Sequence, residues 1–211
     1  MKGSLKNKKI LITCGPTCVP IDDMRVISNR SSGQLGFMIA QECLKKKARV
    51  TLLVGPVADN FLNGNAKVIK FFFFEELRKL LKLELKKKYD VVIHAAAVSD
   101  YFLKKTFKSK LKSDHDQLKL ELVQTPKLIN EIKRMSPGVF LVGFKLESKV
   151  NDSAVRSLSR KLFKEALCDL VVVNTNTHLK YRAWIINKSQ HILFKGAGKR
   201  LLAQKLVTQL N

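Results

Sequence analysis

The chain has 211 residues, of which 45% are hydrophobic, and 40 Lys and Arg stand against 17 Asp and Glu for a formal net charge of +23. That apolar content suffices for a sizeable core and excludes global disorder, while no apolar run approaches the ~20 residues of a membrane-spanning helix. The basic start at 1–9 precedes an apolar stretch at 10–12, well short of the roughly 7–15 residues of a signal-peptide core, so the expectation is a cytoplasmic protein that begins near Met1.

Short β-type runs then alternate with helix-type runs. An apolar run at 9–14, closed by Gly15-Pro16, predicts a buried strand and a turn. Leu35, Met38, Ile39, Glu42, Cys43 and Lys46 mark a helical stripe after Gly33. Strands are predicted over 48–54, ended by Gly55-Pro56, and over 68–72. Leu77, Leu80, Leu81 and Leu85 stand at helical spacing within 75–87. The run 90–97 is apolar almost throughout, as in a sheet covered on both faces. Thr125-Pro126 predicts a helix with proline at its first position. A strand at 139–143, a helix over 152–166 and a strand at 170–174 follow. The segments 183–186 and 191–194 flank 187–190 as a hairpin, and a closing helix covers 198–210. The alternation predicts an α/β fold: a doubly wound, Rossmann-like, mostly parallel sheet with helices on both faces and a C-terminal β-hairpin, built as one domain over 1–211. Residues 104–117, basic and aperiodic, break the pattern; such loops are usually disordered or functional.

Cys14, Cys18, Cys43 and Cys168 form neither a CxxC pair nor a zinc spacing. Cys43 and Cys168 read as small core residues. Cys14 and Cys18 flank the Gly-Pro turn without the spacing of a dithiol motif. The basic excess suits a polyanion, whether nucleotide, phosphorylated substrate or nucleic acid. Its lysines are scattered, though, and no RNP or zinc-finger motif accompanies them, so charge alone does not support nucleic-acid binding as the main function.

Ligands of a doubly wound sheet bind at the carboxyl ends of its strands, and three informative segments fall there. Ser31, Ser32 and Gly33 stand just before a helix, where hydroxyls, a glycine and free N–H groups suit an anion; an ordinary Ser cap would look the same. The turn is neither GxxxxGK[ST] nor a clean GxGxxG. The small residues at 95–97 would let a flat ligand approach the backbone, and Asp100 either binds that ligand or caps a loop. Lys110 and Lys112 sit in the basic loop, poised either for a triphosphate or for water.

Taken together, these segments closely resemble the phosphopantothenate–cysteine ligases of bacterial type. The resemblance runs from 15–36, with Pro-Ile-Asp at 20–22, Arg25 and Asn-Arg-Ser-Ser-Gly at 29–33, through Ala-Ala-Val-Ser-Asp-Tyr at 96–101 and Lys-Leu-Lys at 110–112. It ends with Thr-Pro at 125–126, Gly-Phe at 143–144 and the stretch 169–174. It implies that the carboxylate of 4′-phosphopantothenate attacks the α-phosphate of CTP, and that the amine of L-cysteine then displaces CMP from the acyl-cytidylate. By the same resemblance Asn29 handles the acyl-phosphopantothenate part and Lys110 assists catalysis, with Ser31, Ser32 and Gly33 at the phosphate or intermediate. His94, Ala95, Ala96, Asp100, Pro126, Lys127, Leu128, Ile129 and Phe144 match the cytidine-nucleotide site, His94 through its backbone. Lys161 fits one nucleotide-contacting lysine, whereas Lys164 and Asp169 stand a residue out of step. Ser113 replaces the last lysine of a Lys-Ile-Lys-Lys loop, and Asn174-Thr175 replaces a frequent Asn-Asp. The implied partners are Mg²⁺ with the triphosphate, no protein metal cage, no membrane and no flavin. A separate flavin-dependent decarboxylase would act on the product. A homodimer is implied too, with the hairpin at 183–194 as a possible contact.

The competing enzyme class is a Rossmann-type NAD(P)-dependent oxidoreductase. It needs a glycine fingerprint after the first strand and an acidic residue ending the second. The sequence has Gly15-Pro16-Thr17 and Val54-Gly55-Pro56 at those places.

Overall fold

The computed structural model describes residues 4–58, 65–112, 116–176 and 181–210; Met1 and Ser113, on which sequence expectations fall, lie outside them. In chain order the elements are β1 (Lys9–Cys14), β2 (Cys18–Pro20), β3 (Val26–Ser28), α1 (Gln34–Lys45), β4 (Arg49–Val54), β5 (Lys67–Lys70), α2 (Phe74–Leu85), β6 (Val91–His94), β7 (Tyr101–Leu103), β8 (Leu122–Gln124), α3 (Leu128–Met135), β9 (Phe140–Glu147), α4 (Asp152–Glu165), β10 (Leu170–Asn176), β11 (Tyr181–Asn187), β12 (Ile192–Ala197) and α5 (Lys199–Val207).

Eight strands form one sheet in the order β12-β11-β10-β9-β6-β1-β4-β5. β10, β9, β6, β1, β4 and β5 run parallel, and β11 and β12 complete one edge antiparallel. The predicted Rossmann-like sheet with its terminal hairpin is thus present. Period-two alternation sends successive residues to opposite faces. Ile10, Ile12 and Cys14 join one core with Phe37 and Cys43 of α1 and Leu202 and Leu206 of α5. Leu11 joins the other, with Leu77 and Leu81 of α2, Ile132 of α3 and Val155 of α4. Both faces are covered, which is why the strands read as continuous apolar runs. Each fully buried Leu, Ile or Phe contributes roughly 1.5–3 kcal/mol. No helix among the described residues is long and apolar enough to cross a membrane.

Several boundaries differ from the sequence reading. β9 extends to Glu147 and β11 spans Tyr181–Asn187, both longer than their apolar centres. Regular pairing in β6 stops at His94, and Ala97 is held by an isolated bridge to Pro16. Pro126 is not the first helical residue. Thr125 is tied back, its N–H to Asp100 O at 2.9 Å and its Oγ1 to Ser99 O at 2.6 Å, so the chain stays extended through Lys127, the N-cap of α3. Two small antiparallel sheets, β2-β3 and β7-β8, were not predicted. The second brackets the basic segment.

All four cysteines are buried and free. Burial pushes the Cys14 thiol up to about 12, so it is protonated and unreactive near neutral pH.

Candidate functional site

The chain leaves β1 toward β4 but leaves β6 toward β9, so the topological switch lies between β1 and β6. Ligands bind outside the carboxyl ends of strands at such a point. A cleft of about 750 Å³ opens there, between the start of α1, the segments after β6 and β8, β9, and one face of α4.

The close approach of α1 is set by glycine. Gly33 is its N-cap with φ +68°, and no side chain caps the helix. The N-cap is therefore not one of the serines: a left-handed glycine holds that position, which a residue with a Cβ adopts only at a cost. Ser32 Oγ instead accepts from Gln34 N at 3.4 Å. Gln34, Leu35 and Gly36 of the first turn of α1 line the cleft, and with no acidic side chain in that turn the helix terminus is electropositive.

Asn29 joins the two most specific segments. Its Nδ2 donates to Ala97 O at 3.2 Å and to Val98 O at 3.3 Å. The amide expected to serve a substrate as a donor is therefore directed at backbone carbonyls beyond the last regular residue of β6. Thr17 and Ser99 reinforce the same junction. Ser99 N donates to Thr17 Oγ1 at 2.8 Å, Thr17 Oγ1 to Ser99 Oγ at 3.0 Å, and Ser99 Oγ to Thr17 O at 3.1 Å. Both hydroxyls are buried, and each is hydrogen-bonded, as a buried polar group requires.

His94 contributes more than backbone. Thr13 Oγ1 lies 2.9 Å from His94 Nδ1 and accepts from Ala96 N at 3.2 Å. The arrangement that satisfies every partner has Thr13 donating to Nδ1, which leaves the imidazole neutral with its proton on Nε2. Burial holds its pKa down to about 4, so it stays neutral at physiological pH.

Asn29, Ser31, Ser32, Gly33, His94, Ala95 and Ala96 all line the cleft, as do Asp100, Pro126, Lys127, Leu128, Ile129, Phe144 and Lys161. Asp100 and Lys127 form an ion pair at the rim; both are exposed, so the pair adds little stability. Lys161 pairs with Glu165 at 3.9 Å along α4. Lys164 and Lys110 are exposed and lie outside the cleft wall. Asp169 stands away from the cleft, before β10. Its carboxylate accepts from Leu141 N at 2.8 Å and pairs with Lys133 and Lys188, each at 2.7 Å, a structural role that accounts for an acid at that place.

Sequence reasoning missed a polar group at the other end of the cleft. Lys199 Nζ donates to Gln34 Oε1 at 2.9 Å and sits 5.9 Å from the Tyr181 ring centroid. Lys145, Asn174, Tyr181 and Lys199 all line the wall. No local motif marks Lys145, Tyr181 or Lys199, which meet only through the tertiary fold, whereas Asn174 belongs to the stretch 169–174 that the family resemblance already includes.

The model of the DNA/pantothenate metabolism flavoprotein C-terminal domain family matches residues 5–211. The chain belongs to that family. The resemblance read from 15–36, 96–101 and the later segments therefore holds at family level. The chain is 43% identical over 174 residues to the coenzyme A biosynthesis bifunctional protein CoaBC of Thermococcus kodakarensis, covering 82% of this chain and 42% of that protein. With the protein of the same name from Borreliella burgdorferi it shares 36% over 195 residues, 89% of this chain and 48% of the relative. The chain thus spans about half the length of these curated relatives. Among solved structures, the DNA/pantothenate metabolism flavoprotein from Streptococcus pneumoniae superposes with a TM-score of 0.85 at 26% identity, over 96% of this chain and 98% of that one. The C-terminal domain of a coenzyme A biosynthesis bifunctional protein CoaBC gives 0.81 at 25%, over 99% and 96%.

Proposed function

We propose that this family member is a phosphopantothenate–cysteine ligase, joining 4′-phosphopantothenate to L-cysteine with CTP in coenzyme A synthesis. One observation carries the reading. The Asn29 amide fastens the 29–33 turn to the 97–98 carbonyls at the switch point. The segment suited to an anionic substrate and the segment suited to a flat nucleotide thereby become two walls of one cleft.

In the first step a carboxylate oxygen of phosphopantothenate bonds to the α-phosphorus of CTP, and the bond to pyrophosphate breaks. In the second the cysteine amine bonds to the acyl carbon, CMP leaves, and the amine gives up a proton. The protein's tasks are to position the reactants and stabilise charge. Ser31, Ser32 and the N–H groups after Gly33 hold the anionic acyl substrate beside Asn29. His94, Ala95, Ala96, Asp100, the residues 126–129, Phe144 and Lys161 bound the nucleotide, with Lys164 one helical turn further along. Lys110, which stands exposed outside the cleft wall, reaches the developing negative charge on phosphate through its long flexible stem once substrates are bound. Mg²⁺ enters as part of the CTP substrate. Among the described residues no three His, Cys, Asp or Glu side chains gather as a metal site, and Mg²⁺ on a triphosphate needs few protein ligands.

The same reading makes the region 1–211 one ligase domain, in the cytoplasm, whose product a flavin-dependent decarboxylase consumes. It also makes the protein a homodimer. The exposed apolar side chains that support such an interface lie less on the 183–194 hairpin than on β3, β7 and β8, where Val26, Ile27, Tyr101, Phe102, Leu122 and Val123 all face solvent.

The test is incubation with phosphopantothenate, L-cysteine and Mg²⁺ with either CTP or ATP, read by mass analysis. Phosphopantothenoylcysteine and CMP should appear with CTP, and chelation by EDTA should abolish them. Equal turnover with ATP would overturn the nucleotide assignment; no ligation with any nucleotide would overturn the function.

A further inference from the structure

The basic segment 104–112 is fastened to the turn at 21–25. Phe107 N donates to Ile21 O at 3.0 Å, and Leu111 N donates to Asp22 Oδ2 at 3.0 Å. Asp22 is the hub of this contact. Its Oδ1 accepts from Met24 N and Arg25 N, both at 2.8 Å, and its Oδ2 also accepts from Arg25 Nη1 at 2.6 Å. Arg25 Nη1 in turn reaches Leu111 O at 3.2 Å. One carboxylate and one guanidinium therefore hold both polar backbone groups of a single residue, 86 and more positions away in sequence. The Asp22 side chain is fully shielded from solvent although Arg25 is 39% accessible. A merely solvated basic loop needs no such anchor.

We propose that Asp22 is a positioning residue for the ligation: together with Arg25 it latches Leu111, and so fixes the backbone from which the neighbouring Lys110 works. The proposal rests on the role given to Lys110 above. The turn at 21–25 runs directly into β3 and on to Asn29, so a single stretch of chain sets both the cleft wall and the lysine segment. The Leu111 N–H, followed by the opposing cost of burial and then the N–H groups of Met24 and Arg25 and the guanidinium, leaves the Asp22 carboxyl at about 2. The latch thus stays charged through mildly acidic pH.

The test substitutes Asp22→Asn, which keeps the volume but turns a donor toward donors. Three readouts are compared with Lys110→Gln and with the double variant. Turnover should fall about a hundredfold, as misplacement by an ångström can cost, while the KM for CTP stays close to wild type; the melting temperature should also drop, because the carboxylate's four hydrogen bonds and lowered pKa stabilise the fold. The double variant should be no slower than Lys110→Gln alone, since both changes remove one effect. The Leu111 amide, protected in the wild type, should exchange with solvent faster in Asp22→Asn. Multiplicative losses in the double variant, or unchanged Leu111 exchange, would overturn the proposal. If Asp22→Asn does not fold, Arg25→Lys keeps the Asp22 turn while losing the reach to Leu111 O, and it should show the same kinetic pattern. A wild type that forms no product sinks the ligase reading itself. A wild type that ligates beside an equally active Asp22→Asn protein sinks only the positioning role.

Discussion

Gly36 lies so close to Cys14 that a Cβ on the glycine would sit 2.3 Å from the Cys14 Cβ, inside any real carbon–carbon contact. The first turn of α1 thereby rests on the last residue of β1, at the floor of the cleft. Gly36→Ala must push the helix off the strand. Overpacking of this kind costs about 1–3 kcal/mol. The denaturant midpoint should drop and the KM for phosphopantothenate should rise, because the N–H groups at the head of α1 move with the helix. An unchanged midpoint would show that the contact relaxes freely.

Asn29→Asp places a carboxylate against the Ala97 and Val98 carbonyls that the amide now satisfies. Like dipoles then face each other across the junction, and a negative charge meets anionic substrates. Product formation should fall at least about a hundredfold, the scale of losing one positioned donor, with the circular dichroism spectrum retained. Full activity would remove Asn29 from the site.

His94 gives a pH prediction. Its pKa is about 4 in the folded protein, below the ordinary histidine value near 6.5 in the unfolded chain. Between those values the unfolded state binds a proton that the native state refuses, so stability rises with pH across that window. It is fully present above about 6.5 and falls by roughly 3 kcal/mol as pH drops to 4. His94→Asn, which keeps an acceptor for Thr13, should lack this slope. Stability curves of the two proteins that run parallel from pH 7 to pH 4 would contradict the assignment.

Within the basic segment, Lys104 Nζ already pairs with Glu121 at 2.7 Å, and both partners are exposed. Lys104→Gln should change turnover little, as exposed pairs contribute little, and Lys105→Gln should behave alike. Lys110→Gln should cut turnover at least about a hundredfold. Steady-state assays of the three variants decide. If all three fall equally, the segment attracts anions diffusely, and added salt should weaken the wild type in the same way.

The buried strands and the helices are readable in the sequence because both faces of the sheet are covered, which leaves apolar runs such as 9–14 and 91–94 bounded by turns. The cleft segments at 29–33 and 94–100 are readable because a doubly wound sheet places its site at strand ends. The β2-β3 and β7-β8 pairs are not readable. Each strand has three residues, and β3 and β8 are exposed throughout, so no period-two apolar signal survives. Long-range polar contacts leave no local mark either. Lys199 with Gln34, Thr17 with Ser99 and Asp22 with Leu111 each join residues at least 82 positions apart. The start of α3 was misplaced for a related reason, since Thr125 is held by Ser99 and Asp100 and not by the helix.

The most direct measurement uses phosphopantothenate labelled with ¹⁸O in its carboxylate, supplied with L-cysteine, CTP and Mg²⁺. Nucleotide and ligated products are then weighed by mass spectrometry. Attack by the carboxylate on the α-phosphate carries one labelled oxygen into CMP when the amine displaces it, so the account predicts singly labelled CMP in equal amount to phosphopantothenoylcysteine. Label appearing in inorganic phosphate with CDP would place the attack at the γ-phosphate, and unlabelled CMP with no ligated product would contradict the ligase altogether.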